Sequence, residues 1–332
     1  MDFHDIFAWL VIGAIAGWLA GLLVRIFPAP CGLLGDHMLS RRRFAITGTA
    51  LAAMVVARHA PGYAAGNSFD ELANTLAVFE RESGGRLGVA VLDTKTGRNA
   101  AYRDTELFPL ASTFKLLAAA AVLSLVDAGK TNLDTRIIFQ EGDLVTYSPA
   151  TKSRVGGIGM SLSELCEAAI TLSDNTAGNM LLRTLGGPAG LTSYARTIGD
   201  LTTRLDRIET ELNEATPGDV RDTTSPRAML ANLHSLVIGD ALKPASREQL
   251  VAWLKANKTG NERMRAKLPP GWIVGDKTGL GNHGTINDVG IIWPPDGAPI
   301  LLAIYLTDSD KPIAQRAAIL QEIGRLTAAG AR

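Results

Sequence analysis

Residues 109–129 read PLASTFKLLAAAAVLSLVDAG. From Phe114 to Val126 the run is apolar apart from Lys115 and Ser124, and it meets neither Gly nor Pro before Gly129, so it predicts a buried helix that stops there. Ser112 stands at the head of this helix and Lys115 comes three residues later, on the same face. A helix at this point decides the fold, because the segment before it reads as strand and the segment after it as more helix. Upstream, SFDELANTLAVFERESGG from Ser68 has helical spacing, Ser68 or Asp70 as cap and Gly84 as stop. RLGVAVLDTKTGRNAAYRDTELF then alternates and turns at Thr96-Gly97, as a hairpin does.

Downstream, SLSELCEAAITLS capped at Ser161, NTAGNMLLRTLGG closed by Gly186, and two stretches around Leu230 and Trp253 continue the helical signal. Residues 201–226, LTTRLDRIETELNEATPGDVRDTTSP, are polar and without period, a loop long enough to be functional. After Gly271 the strand signal returns in WIVGDKTG, TINDVGIIWPP and APILLAIYLTD, and a last helix runs from Pro312 to about Ala328. This order predicts an α/β protein of the α+β type. An antiparallel five-stranded sheet is built from both chain ends (66–104 and 257–332), flanked by N- and C-terminal helices, with an all-α lobe (105–256) inserted.

Thirty-three basic and 33 acidic residues cancel, and 46% of the 332 residues are hydrophobic, enough for a sizeable core. Without a basic, aromatic-interleaved tract in the body of the chain, nucleic acid is excluded as a partner. The five histidines are scattered and the two cysteines, Cys31 and Cys166, lie in unrelated surroundings, so neither a zinc site nor a structural disulfide is expected.

The first 65 residues carry two competing targeting signals. Residues 7–27 hold one charge, Arg25, and are long enough to cross a bilayer. From Met38, Ser40-Arg41-Arg42-Arg43-Phe44, a shorter apolar stretch and the small pair Ala64-Ala65 resemble a twin-arginine export signal cleaved near Ala65. Residues 1–37 then read as a hydrophobic upstream or fused segment, 38–65 as signal and 66–332 as the catalytic domain. The expectation is export by the twin-arginine machinery to the periplasm or medium as a soluble monomer, or membrane anchoring if 7–27 is retained.

Three further segments carry chemistry. A serine is a weak nucleophile until a base takes its proton, and Lys115, desolvated by Phe114, Leu116 and Leu117, could serve Ser112 in that way. TLSDN supplies Ser173, Asp174 and Asn175, which alone read as a helix cap. GDKTGLG supplies Lys277, Thr278 and Gly279, where a strand can present an ammonium and a hydroxyl while glycine admits a ligand close to the backbone. Lys258-Thr259-Gly260 repeats that triplet in a polar loop, a context that points to Lys277 instead. In the long loop, Glu209, Glu211 and Glu214 are alternative acids.

Together Ser112-x-x-Lys115, Ser173-Asp174-Asn175, Lys277-Thr278-Gly279 and the loop sequence RIETELN resemble the class A serine β-lactamases within the penicillin-binding protein superfamily, over essentially everything from Ser68 onward. The resemblance implies hydrolysis of the β-lactam amide through an acyl-Ser112 intermediate, with no metal or organic cofactor. Lys115 or Glu209 would be the acylation base, Glu209 with Asn213 would activate the deacylating water, and Ser173 would relay a proton to the leaving nitrogen. Asn175 would hold the side-chain amide of the substrate, and Lys277, Thr278 and Gly279 its carboxylate end, with Arg263 as a second carboxylate-binding arginine. The backbone N–H groups of Ser112 and Leu280 would form the oxyanion hole, Tyr147 an aromatic wall, and Arg207 with Asp222 the neck of the loop. A membrane-anchored β-lactam sensor or a D,D-peptidase that deacylates slowly is the alternative, and the Glu209–Asn213 pair argues against it.

Overall fold

The computed structural model describes residues 68–331, so the readings of the targeting segments lie outside the described residues. Helix α1 (Ser68–Ser83) leads into β1 (Arg86–Asp93) and β2 (Asn99–Tyr102), which pair antiparallel around Gly97. Three long strands close the chain: β7 (Ile273–Leu280), β8 (Ile286–Trp293) and β9 (Ile300–Thr307), followed by α8 (Ile313–Gly330). The sheet order is β2-β1-β9-β8-β7 with every pair antiparallel, so both chain ends build one five-stranded sheet.

Alternation along β9 explains the layering. Ile300, Leu302, Ile304 and Leu306 join the core beneath α1 and α8, whereas Leu301, Ala303 and Tyr305 enter the core shared with the other helices. All eight residues of β9 are buried, which is why it reads as an unbroken apolar run.

Between the sheet's two parts come α2 (Phe114–Asp127), α3 (Leu162–Thr171), α4 (Asn175–Leu185), α5 (Pro188–Thr197), α6 (Pro226–Val237) and α7 (Pro244–Lys255), with short pairings of β3 (Phe108–Pro109) with β6 (Thr223–Thr224) and β4 (Arg136–Ile137) with β5 (Met160–Ser161). Helix α2 is the hub of the block, in contact with α3, α4, α5 and α7, while α6 lies against β1, β8 and β9. Its neighbours pack so closely because residues 118–121 are four alanines.

Two details differ from the sequence reading. The helix expected to start at Ser112 begins only at Phe114: Phe108–Pro109 is strand, and Ala111–Thr113 forms a 3-10 turn in which Ala111 adopts φ +42°. Pro109 cannot donate a helical hydrogen bond, and pairing with Thr223 claims that segment instead. Helix α5 was hidden by its punctuation, since Gly186 and Gly187 both take positive φ and Pro188 occupies the first helical turn.

Candidate active site

The nucleophile candidate is held where the helical block meets the free edge of the sheet. The 3-10 turn 111–113 packs against β7, and the segment before it is tied down on three sides. Leu110 N–H donates to Asp222 O (2.8 Å), Thr113 Oγ1 donates to Leu110 O (2.6 Å), and the Asn287 amide on β8 donates to Pro109 O (2.9 Å) and Leu110 O (3.2 Å). Ser112 thus projects from a braced turn, directly ahead of α2.

Lys115 sits in the first turn of α2, and its side chain is wholly buried. Its Nζ lies 2.8 Å from Ser112 Oγ, 2.8 Å from Glu209 Oε1, 2.7 Å from Asn175 Oδ1 and 2.9 Å from Ser173 O. An ammonium has three protons for these four acceptors, so the partners compete. Burial pushes the Lys115 amine below its ordinary range, and the adjacent Glu209 carboxylate opposes that shift. Ser112 Oγ is also 3.3 Å from Glu209 Oε1, so hydroxyl, amine and carboxylate form one contact triangle. A Cβ at Gly178 on α4 would lie 2.9 Å from Lys115 Cε, so this glycine makes room for the lysine.

Glu209 enters from the long loop. Asn179, one turn beyond Asn175 on α4, grips the peptide of Glu209 from both sides: Glu209 N–H donates to its Oδ1 (2.8 Å), and its Nδ2 donates to Glu209 O (2.9 Å). The Asn213 Nδ2 donates to Glu209 Oε2 at 2.5 Å. Its Oδ1 is buried with no hydrogen-bond partner among the described residues, leaving an acceptor beside the carboxylate. Asn282 N–H donates to Asn213 O (2.9 Å), pinning the loop to the β7–β8 turn. At the neck, Arg207 Nε meets Asp222 Oδ2 at 2.5 Å, while Asp222 Oδ1 accepts from the N–H groups of Asp206 and Arg207. Glu211 is exposed and Glu214 pairs outward with Arg207, so of the three acids Glu209 is the one that reaches Ser112.

The opposite wall is β7. Lys277, fully buried, donates to Ser173 Oγ (3.0 Å) and Thr278 O (2.7 Å). Burial lowers its pKa strongly, with the positive charges of Lys115 and Arg263 adding to the effect. Ser173 takes φ +58° and so turns its hydroxyl to lie within 3.4 Å of Lys115 and 3.0 Å of Lys277. Its neighbour Asp174 caps α4 through Ala177 N–H and also accepts from Ala150 N–H, Thr151 N–H and Thr151 Oγ1. Asn175 donates from Nδ2 to Thr146 O (2.8 Å), holding the Tyr147 loop at the mouth.

Gly281 N–H donates to Thr285 O (3.1 Å), so in this antiparallel pair Leu280, opposite Ile286, is a non-bonded position. Its N–H points away from β8, out of the free edge of the sheet. Arg263 donates from Nη1 to Gly279 O (2.8 Å) and Asn287 O (2.5 Å), and a Cβ at Gly279 would sit 3.0 Å from Asn287 Nδ2.

These walls enclose a cleft of about 390 Å³ lined by Ser112, Tyr147, Ser173, Asn175, Asn213, Thr259, Arg263, Thr278 and Leu280. The structure therefore brings every candidate site residue into or directly behind one cleft, apart from Arg207 and Asp222, which stand at the loop neck. A larger groove of about 510 Å³ at the far end of the sheet, beside Lys95, Arg98 and Trp272, contains none of them. No group of three or more His, Cys, Asp or Glu side chains among the described residues could hold a metal ion. Sequence reading missed Asn179, Asn287 and Thr259. The spacing of Asn179 from Asn175 on one helix face was the available signal for the first.

A scan against family models matches the β-lactamase enzyme family over residues 70–329. The chain belongs to the class A serine β-lactamases. β-Lactamase AST-1 of Nocardia asteroides is 50% identical over 250 residues, covering 75% of this chain and 80% of that protein. β-Lactamase CTX-M-8 of Citrobacter amalonaticus is 45% identical over 271 residues, covering 82% and 92%. Among solved structures, an ancestral (GNCA) class A β-lactamase is 62% identical with a TM-score of 0.76, covering 77% of this chain and 98% of that one. The putative class A β-lactamase PenP from Rhodopseudomonas palustris is 57% identical with a TM-score of 0.77, covering 78% and 99%.

Proposed function

We propose that this enzyme hydrolyses β-lactams by attack of Ser112 Oγ on the ring carbonyl, and that the contact triangle of Ser112, Lys115 and Glu209 is the observation that carries this assignment. The Ser112 proton passes to the Lys115–Glu209 pair, whose two members lie 2.8 Å apart. As the carbonyl oxygen gains charge, the Ser112 and Leu280 N–H groups stabilise it, each worth about 3 kcal/mol by the usual measure of an oxyanion donor. The ring C–N bond then breaks, and Ser173, within reach of both lysines, delivers a proton to the departing nitrogen.

The acyl-Ser112 ester is cleared by a water that Glu209 deprotonates and the free Asn213 Oδ1 orients. Lys277, Thr278 and Arg263 form the carboxylate end of the site, the second N–H of Asn175 Nδ2 faces the substrate amide, and Tyr147 walls the mouth. A sensor or peptidase needs a site that acylates and stalls, whereas a buried, doubly gripped Glu209 suits rapid deacylation.

Incubation of the purified domain with a chromogenic cephalosporin tests the reading. Continuous turnover is expected, and a single stoichiometric burst would move the assignment to the sensor or peptidase. Export belongs to the same proposal: replacing Arg41 and Arg42 by lysine should leave active enzyme in the cytoplasm. A monomer is expected in sedimentation of the 66–332 domain.

A further inference from the structure

The triplet Lys258-Thr259-Gly260, whose loop context points away from function, reaches the same cleft as Lys277-Thr278-Gly279. Thr259 Oγ1 lies 2.5 Å from Thr278 Oγ1, and both residues line the cavity beside Arg263. Gly260 permits the approach, since a Cβ there would fall 2.0 Å from Asp276 Oδ2.

The direction of each hydrogen bond in this chain is set by its buried end. Asp276, ion-paired with Arg265, only accepts. Asn257 therefore turns its Nδ2 to Asp276 Oδ2 (3.0 Å) and its Oδ1 away. That Oδ1 accepts from Thr259 N–H (2.9 Å) and from Thr259 Oγ1–H (2.8 Å). With the single Thr259 hydroxyl proton committed to Asn257, Thr278 must be the donor in the Thr259–Thr278 contact. In the resting site both hydroxyl protons are directed at protein acceptors.

An arriving carboxylate reverses this. Thr278 swings its proton to the anion, a charge-assisted bond stronger than the neutral one it leaves. Thr259, relieved of its donor, turns its own proton to the second carboxylate oxygen. Asn257 Oδ1 keeps the Thr259 N–H, so the change strands no buried acceptor.

We propose that Thr259 is a specificity-determining residue that supplies a second hydroxyl to the substrate carboxylate, so that discrimination between carboxylate-bearing and neutral substrates depends on the Thr259–Thr278 pair. The inference rests on reading Lys277 and Thr278 as the carboxylate end of the site. Its test compares a penicillin with its methyl ester on the wild type, Thr259→Val, Thr259→Ser and Thr278→Val. For Thr259→Val, kcat/KM for the free acid should fall about tenfold, carried by KM, with kcat within about twofold and the ester unaffected. Thr259→Ser should match the wild type on both. The ester reaction reports on folding, so an equal loss on acid and ester overturns the proposal, as does an unchanged acid reaction. If Thr278→Val collapses the acid-to-ester ratio and Thr259→Val does not, the Thr259 assignment alone fails. If neither variant moves the ratio, the carboxylate reading of β7 fails with it.

Discussion

Lys115 stands on a helix in which every residue from Phe114 to Leu123 is buried among aliphatic and aromatic side chains, whereas Glu209, 2.8 Å away, stands on a loop held mainly by polar ties to Asn179, Asn213, Asp222 and Asn282. The helix wall owes its position to burial, which is cooperative with the whole fold. The loop wall owes its position to hydrogen bonds and an ion pair, each of which can be cut singly. On the proposed mechanism acylation draws on Lys115 and Glu209 together whereas deacylation rests on the loop wall, so the second step depends more on ties that can be cut singly.

The sharpest break of this comparison is Glu209→Gln. Loss of a positioned base should slow deacylation about 10³-fold, with acyl-Ser112 accumulating and visible by intact-mass spectrometry. An equally fast clearance of the adduct would show that the loop wall does not carry that step. Leu117→Ala, a cavity in the helix wall, should destabilise the whole domain by about 3 kcal/mol in denaturant unfolding. The molecules that remain folded should keep a normal ratio of acylation to deacylation rates.

Asp222→Ala should do the reverse. Removing the acceptor of Arg207 Nε and of two backbone N–H groups costs about 2 kcal/mol, less than for a fully dry pair because the Arg207 side chain is 15% exposed. Its signature is slower adduct clearance and faster proteolysis within 201–225, with acylation slowed less than deacylation. A Tm loss like that of Leu117→Ala together with unchanged deacylation would erase the distinction between the walls.

The smallest effect concerns Asp288, the neighbour of Asn287 on the opposite face of β8. Burial pushes its carboxyl up to about 7, against the opposing charges of Arg263, Arg265 and Lys277, and its Oδ1 has no hydrogen-bond partner among the described residues. A group with a raised folded pKa stabilises fully below its unfolded value, and that contribution is lost as pH rises through the folded value. Asp288 should therefore lower stability progressively between about pH 4 and 7, and Asp288→Asn should flatten that part of the Tm-against-pH curve. Persistence of the same slope in the variant would assign it to other groups.

Periodicity and turn residues were enough to read the sheet, the main helices and the order in which the chain ends come together. Ser112 and Lys115 were legible because three residues on a helical path put them on one face. The selection of Glu209 over Glu211 and Glu214 came from the family resemblance, since a loop has no period from which to infer direction. The remaining parts of the site lie in contacts between distant positions. Asn179 meets Glu209 across 30 residues and Asn287 meets Pro109 across 178, and neither leaves a local pattern. Thr259 was obscured for a related reason, because its loop is polar in sequence yet folds against the β7 edge. The 3-10 turn before α2 depends on a left-handed Ala111 that propensity alone would not place there.

Leu280 contributes to the cleft in two separable ways. Its N–H points out of the free edge of β7, the strand against which the turn carrying Ser112 packs, while the residue is 48% exposed. On the proposed mechanism, selection for new antibiotics can thus remodel this exposed side chain while the β7–β8 register keeps the backbone N–H in place, so drift here need not disturb the oxyanion donor.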